Sequence, residues 1–225
     1  STPIKSSAAS DVYKRQAMHS FLKKHAHLLK TSAIVTDAAG IKGQLCESLQ
    51  SLLPPQVEFV GGHPMAGRQG SGFAQSSAEL FDGANYIVVR ASHNHEETLK
   101  WLENFAKALG FARTIRTTSA EHDQMVAYTS DLTHVLSVAL ASSDSFNEKT
   151  CFFAGGSFKD ATRVADINPV LWSELFISNK NHLLKEVELL IGQLEQWRQV
   201  IKEEDREKMT HLMNKAAVNV KTLKR

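Results

Sequence analysis

The feature that most restricts this chain is a change of rhythm near residue 119. Before it, short runs rich in β-branched and aromatic residues alternate with stretches that repeat apolar residues every three or four positions. The first kind comprises "AIVTD" (33–37), "VEFVGG" (57–62), "NYIVVR" (85–90) and "RTIRTT" (113–118). The second includes "IKGQLCESLQSLL" (41–53) and "EETLKWLENFAKALG" (96–110), which closes on Gly110 as helices commonly do. Such alternation predicts a parallel or mixed α/β sheet, because parallel strands need a long crossover that a helix supplies. After residue 119 the strand signals stop and nearly everything reads as helix. The expected class is α/β followed by all-α, with domains over residues 1–118 and 119–225.

With 225 residues, 42% hydrophobic and 22% charged, the chain is long enough for one large domain or two small ones. Net charge is +2 with the basic residues scattered, so neither nucleic acid nor an anionic membrane is an expected partner. No apolar run approaches the roughly 20 residues of a membrane helix, and a cytoplasmic setting is expected. Cys46 and Cys151 have neither metal nor redox spacing and read as reduced packing residues. At the N-terminus "STPIK" resembles a strand end and "AMHSFLKKHAHLLK" (17–30) a helix, but residues 6–16 between them suit neither neighbour. They read as an artefactual insertion, or else as a flexible linker.

Three stretches carry candidate chemistry. In "FVGGHPMAG" (59–67) two glycines allow a turn and a close approach, and Pro64 fixes the torsion after His63. A histidine aimed in this way is either a chemical group or a structural one. In "FFAGGSFKDATRVADINPVLW" (152–172) Gly155 and Gly156 break the chain, and Ser157 with Asp160 forms a capping-box pattern. Lys159 and Arg163, four apart, project from one face and form either a carboxylate site or a solvated charge pair. Asn168 and Pro169 then cap and open the next helix. The third stretch, "EHDQMVAYTSDLTHVLSVAL" (121–140), opens as a helix and puts Asp131 and His134 on one side. "HAH" (25–27) and "HNH" (93–95) lack the further ligands of a metal site, and no G-x-S-x-G elbow marks a hydrolase. The long helix expected from Asn179 to Glu204 carries Leu183, Val187, Leu190, Leu194, Trp197 and Ile201 as a seam spaced by fours and threes.

Taken in order, "VTDAAGIK", "FVGGHPMAG" with "SGF" after it, "HDQMVAYTSDLTH" and "GGSFKDATRVA…NPVLW" resemble the prephenate/arogenate dehydrogenase family from about Ala33 onward. The resemblance implies the C-terminal part of a Rossmann-type dinucleotide-binding domain followed by a helical dimerisation domain. It implies oxidation of prephenate or arogenate with NAD, or NADP, and loss of carbon dioxide on the way to tyrosine. His63 then matches the catalytic histidine that takes the proton of the ring hydroxyl. Arg163, with Lys159 beside it, matches the binding site of a substrate carboxylate. His134 and Gly156 complete the substrate residues, while Thr36, Asp37 and Gly40 lie where the nicotinamide is expected. A homodimer through the C-terminal helices follows, and no metal.

Departures from the family pattern bear on substrate preference. Gly40 stands where many relatives carry a serine in D-x-G-S-V-K, and "SDLTH" replaces S-H-L-P-H, with Asp131 at the first histidine and Thr133 at the proline. Asp131 is expected to repel a dianionic substrate unless it turns toward His134 or Lys159. No G-x-G-x-x-G occurs in the sequence, so the chain reads as an N-terminally truncated member that binds NAD poorly. A non-catalytic carboxylate-binding or dimerisation module stays open as the alternative, as does a 3-hydroxy-acid dehydrogenase.

Overall fold

The computed structural model describes residues 11–66 and 77–223. Helix α1 (Asp11–His25) is followed by β1 (Ile34–Thr36), α2 (Leu45–Gln50), β2 (Glu58–Met65), β3 (Asn85–Arg90), α3 (Glu96–Ala108) and β4 (Arg113–Thr118). Then come α4 (Ser119–Val126), a π-helical turn over Ala127–Asp131, α5 (Leu132–Ala141), α6 (Thr150–Phe153), α7 (Gly156–Thr162) and α8 (Pro169–Ser178). Two long helices end the chain, α9 (Lys180–Lys202) and α10 (Arg206–Thr222). The "STPIK" segment, residues 6–10 and "SGF" lie outside the described residues. Residues 11–16 are helical and run without a break into the helix expected from residue 17.

The strands form one mixed sheet in the order β1-β2-β3-β4. β1 and β2 are parallel with Val35 opposite Phe59, β2 and β3 antiparallel with His63 opposite Ile87, and β3 and β4 parallel with Ile87 opposite Ile115. Each parallel pair is joined by a helix, α2 or α3, as the crossover requires. Both faces are covered, so neighbouring strand residues divide between two cores. Phe59 and Val89 pack with Leu45, Cys46 and Leu49 of α2 and Leu22 and Ala26. Val60, Tyr86 and Val88 pack on the other face against Leu99, Leu102 and Ala106 of α3 and Phe111. Burying each fully enclosed Leu or Phe contributes roughly 1.5–3 kcal/mol. Helix α3 stops where Gly110 takes φ +97°, a conformation that favours glycine.

The "GGHP" stretch does not turn. It is extended, and β2 runs through it to Met65. Its glycines serve close approach alone. A Cβ on Gly62 would collide with the Tyr86 hydroxyl and crowd the Asp37 carbonyl, and one on Gly61 would press on the Cys46 sulfur and Val89. Helix α2 is shorter than its apolar spacing predicts, because Ile41 and Lys42 lie in the loop before it. Cys46 is a buried packing residue, but Cys151 is exposed, which corrects the expectation for it.

Residues up to Leu183 form one compact unit, and Leu184 to the C-terminus a second. Within α9, Leu183 is buried, Val187, Leu190 and Trp197 are partly covered, and Leu194 and Ile201 remain 53% and 59% exposed. Among the described residues no helix is long and apolar enough to cross a membrane.

Candidate active site

The site is built around the end of β1. Asp37 follows that strand directly, and its carboxylate accepts from the amides of Gly62 (2.9 Å) and Ala39 (2.9 Å) and from Lys42 Nζ (2.6 Å). Lys42 Nζ also donates to the carbonyl of Gly62 at 2.6 Å. The side chains of this ion pair are 0% and 1% exposed. Both peptide groups of the residue before His63 are therefore gripped by one buried pair.

The Lys42 backbone reaches a second carboxylate. The amides of Lys42 and Gly43 donate to the two oxygens of Asp123, at 2.8 and 2.6 Å. Asp123 sits in α4, whose start is fixed by a capping box between Thr118 and Glu121. Its neighbour His122 bonds Asp123 Oδ1 through Nδ1 at 2.7 Å and His63 Nδ1 through Nε2 at 2.8 Å. Burial alone would raise the Asp123 pKa, but the His122 ring and the two amides outweigh it and hold the carboxyl below its usual range. His63 is pushed down to about 3, by burial first and then by His122 and the Lys42 cation, with Asp123 opposing. Its imidazole is neutral at pH 7.

The other candidates form a second group. His134 in α5 bonds the Ser130 carbonyl through Nδ1 at 2.8 Å and stacks on Trp172 of α8, ring centroids 3.6 Å apart. Burial lowers its pKa, the Ser130 bond opposes this, and the nearby Arg163 charge adds to the lowering. Lys159 and Arg163 are exposed. Gly156 opens α7, where a Cβ would meet open space. The cap of that helix is Gly155 without a side-chain bond, so the Ser157 capping box expected from sequence does not form. Asn168 does cap α8, accepting from the amides of Val170 and Leu171. The two groups meet through a small apolar cluster in which Ile41, beside Lys42, packs with Val126 and Leu175 against Leu171 and Trp172.

Of the residues expected at the nicotinamide, Asp37 has its carboxylate committed internally. Thr36 belongs to an exposed position, and its hydroxyl bonds the Tyr86 phenol, whose pKa burial raises. Gly40 is half-buried in the loop. Asp131 turns neither to His134 nor to Lys159. It is 1% exposed and accepts from Asn179 Nδ2 at 2.9 Å, while the same amide donates to the Asp123 carbonyl. Lys42, His122, Asp123 and Trp172 are further site residues: they lie within the stretches that carry the resemblance, but the sequence assigns them no role. His122 and Asp123 are adjacent in the chain, so helical spacing gives no sign that they act together. A cleft of about 880 Å³ is lined by Gly43, Arg90, Thr118, Ser119 and Asp123 among others and by none of the predicted site residues.

The chain thus runs from a mixed α/β sheet into a succession of helices. A family model described as the nucleotide-binding domain of prephenate dehydrogenase matches residues 15–115, and one described as its dimerization domain matches residues 118–215. The chain belongs to the prephenate/arogenate dehydrogenase family, whose members are NAD-dependent oxidoreductases. It is 28% identical over 180 residues to the prephenate dehydrogenase of Bacillus subtilis, covering 78% of this chain and 48% of that protein. It is 32% identical over 183 residues to the cyclohexadienyl dehydrogenase of Zymomonas mobilis, covering 79% and 61%. The chain thus spans about half the length of the curated relatives it matches. Among solved structures, prephenate dehydrogenase from A. aeolicus in complex with hydroxyphenyl propionate and NAD+ superposes with a TM-score of 0.81 at 27% identity, covering 93% of this chain and 73% of that one. Synechocystis arogenate dehydrogenase gives 0.80 at 27% identity, covering 92% and 76%.

The buried Asp131 gives a prediction with a definite sign. Burial raises its pKa to about 6, with the Asn179 bond opposing and the Asp123 charge adding. Stability from its bound proton is fully present below the unfolded value of about 3.9 and is lost as pH rises through about 6. Asp131→Asn removes that loss. Urea titrations at pH 4 and pH 7 are expected to shift in favour of the variant, relative to the parent, at the higher pH; an unchanged difference contradicts this.

Proposed function

We propose that the protein is a prephenate dehydrogenase that oxidises prephenate with NAD(P) and decarboxylates it to 4-hydroxyphenylpyruvate, a step toward tyrosine. The observation that carries this reading is His63. Its backbone neighbour is clamped, its ring is held through Nδ1, and among the described residues no partner takes Nε2. That nitrogen is suited to accept the proton of the substrate hydroxyl, as a neutral imidazole at pH 7 can.

The loop after β1 runs within hydrogen-bonding distance of Gly62, so it stands beside His63, and Thr36 at the end of β1 and Gly40 in that loop are the residues that fit the nicotinamide end of the cofactor. A nicotinamide cofactor held there would supply the hydride acceptor. Asp37 fits a supporting role, since its carboxylate holds Gly62 and Lys42. Lys159 and Arg163 present exposed cations for substrate carboxylates, with His134, set on Trp172, and the open position at Gly156 near them in the chain or fold. Loss of carbon dioxide with formation of an aromatic ring is strongly downhill. The side chains therefore need mainly to position the substrate and manage one proton. Arogenate as the substrate is a second reading, supported by the close likeness in fold to Synechocystis arogenate dehydrogenase. Comparing kcat/KM for prephenate and arogenate separates the two.

In a preparation that turns over prephenate with NAD+, His63→Asn is expected to lower kcat roughly 10²-fold or more with little change in KM. Arg163→Ala is expected to raise KM and spare kcat to first order. Near-normal kcat in the His63→Asn variant across pH 6 to 9 would return His63 to a structural role.

The helical half is proposed to form a homodimer, with the half-exposed Leu194 and Ile201 and the rest of the α9 seam covered by a second copy. Placing Lys at both Leu190 and Leu194 puts charges into a desolvated contact. Light scattering is expected to show a dimer for the parent chain and a monomer for the double variant. A monomeric parent at micromolar concentration would refute the assembly.

A further inference from the structure

His63, His122 and Asp123 form a line of three groups in which, among the described residues, every ring nitrogen but one has a partner. We infer that His122 and Asp123 are positioning residues that fix His63 as the tautomer protonated at Nδ1 and bare at Nε2, and that His122 receives the positive charge when Nε2 takes a proton. The inference rests on the reading of His63 as the base and extends it to residues that touch neither substrate nor cofactor.

The argument is a donor count. Both oxygens of Asp123 already accept backbone amides, from Lys42 and Gly43, so this carboxylate is built to accept. At 2.7 Å its partner Nδ1 of His122 must donate. A neutral His122 then has its one ring proton on Nδ1, and its Nε2 can only accept. Nε2 stands 2.8 Å from His63 Nδ1, which must therefore carry the proton of the His63 ring. The remaining nitrogen, His63 Nε2, is left with a lone pair. The reverse arrangement would put a donor against a donor or leave a buried carboxylate oxygen short of its partner, and an unpaired charged group in a buried site is strongly disfavoured.

The same line gives the captured proton somewhere to go. A proton arriving on His63 Nε2 creates an imidazolium close to the Lys42 ammonium, whose positive charge disfavours it. Passing the Nδ1 proton across to His122 Nε2 restores a neutral His63 and leaves the imidazolium on His122, against the Asp123 carboxylate. One N–H bond breaks and one forms, and no other reactant is needed. His122 is 3% and Asp123 4% exposed, so solvent does not compete for these bonds.

The test reads ring protonation directly in the chain as it exists. Long-range ¹H–¹⁵N spectra of the imidazoles, assigned with His63→Gln and His122→Gln, are expected to show His63 protonated at Nδ1 and bare at Nε2, and His122 protonated at Nδ1. His122→Leu, if circular dichroism shows it folded, is expected to let the His63 proton redistribute between its nitrogens. His122→Gln, whose amide oxygen can still accept from Nδ1, is expected to preserve the tautomer. A parent spectrum with the proton on His63 Nε2 overturns the inference without any variant, and so does a folded Leu variant with an unchanged tautomer. These outcomes are independent of the kinetic test of His63. A His63→Asn variant of normal kcat sinks the base, whereas the wrong tautomer sinks only the relay.

Discussion

The site depends on one residue, Lys42. Its ammonium, buried against Asp37, holds the carbonyl of Gly62, while its own amide holds Asp123. The first contact sets the backbone just ahead of His63, and the second sets the ring that meets His63 from the other side. A strand end and a helix start, carrying His63 and His122 59 positions apart in the chain, are thereby registered to one another by a single loop residue. Taking a lysine fully out of water is costly unless its partners are close and complete, and breaking such a pair typically costs about 3–5 kcal/mol. Two acceptors at 2.6 Å meet the requirement. The arrangement suits a charged group that serves position more than stability.

Glycine is what lets the clamp close. Gly62 lies so near the Tyr86 hydroxyl and the Asp37 backbone that no side chain fits between them. The chain consequently passes the end of β1 closely enough for its peptide to be gripped from both sides. The π-helical turn over Ala127–Asp131 lies between α4 and α5, the helices that carry His122 and His134. Trp172 and Ile41, through their shared apolar cluster, complete the path from one histidine to the other.

How much of this is legible in the sequence follows from how local each determinant is. β3 and β4 fall where their β-branched runs place them, α3 stops at Gly110, and α8 starts at Asn168 and Pro169, because alternation, a left-handed glycine and a cap act within a few residues. The turn expected at "GGHP" is absent, since glycine permits turns and only the antiparallel partner β3 keeps the stretch extended. Ser157 fails as a cap because Gly155 begins the helix ahead of it. Lys42 and Asp123 lie within the matched stretches, but the contacts that join them to Gly62 and to each other span 20 and 81 positions, and nothing in local spacing records those. Asp131 likewise finds Asn179, 48 residues on, rather than the nearby His134.

Native-state hydrogen exchange at the amides of Gly62, Lys42 and Gly43 tests the clamp most directly, because each of the three donates to a carboxylate of this network. A held clamp predicts that these loop and strand-end amides exchange only through large-scale unfolding, as slowly as the core strand amides of Val88 and Val89, and that Lys42→Met lets Gly62 exchange by local opening. Exchange of Gly62 and Gly43 in the parent chain at the rate of an exposed loop would contradict the account, since His63 would then be held by something other than Lys42.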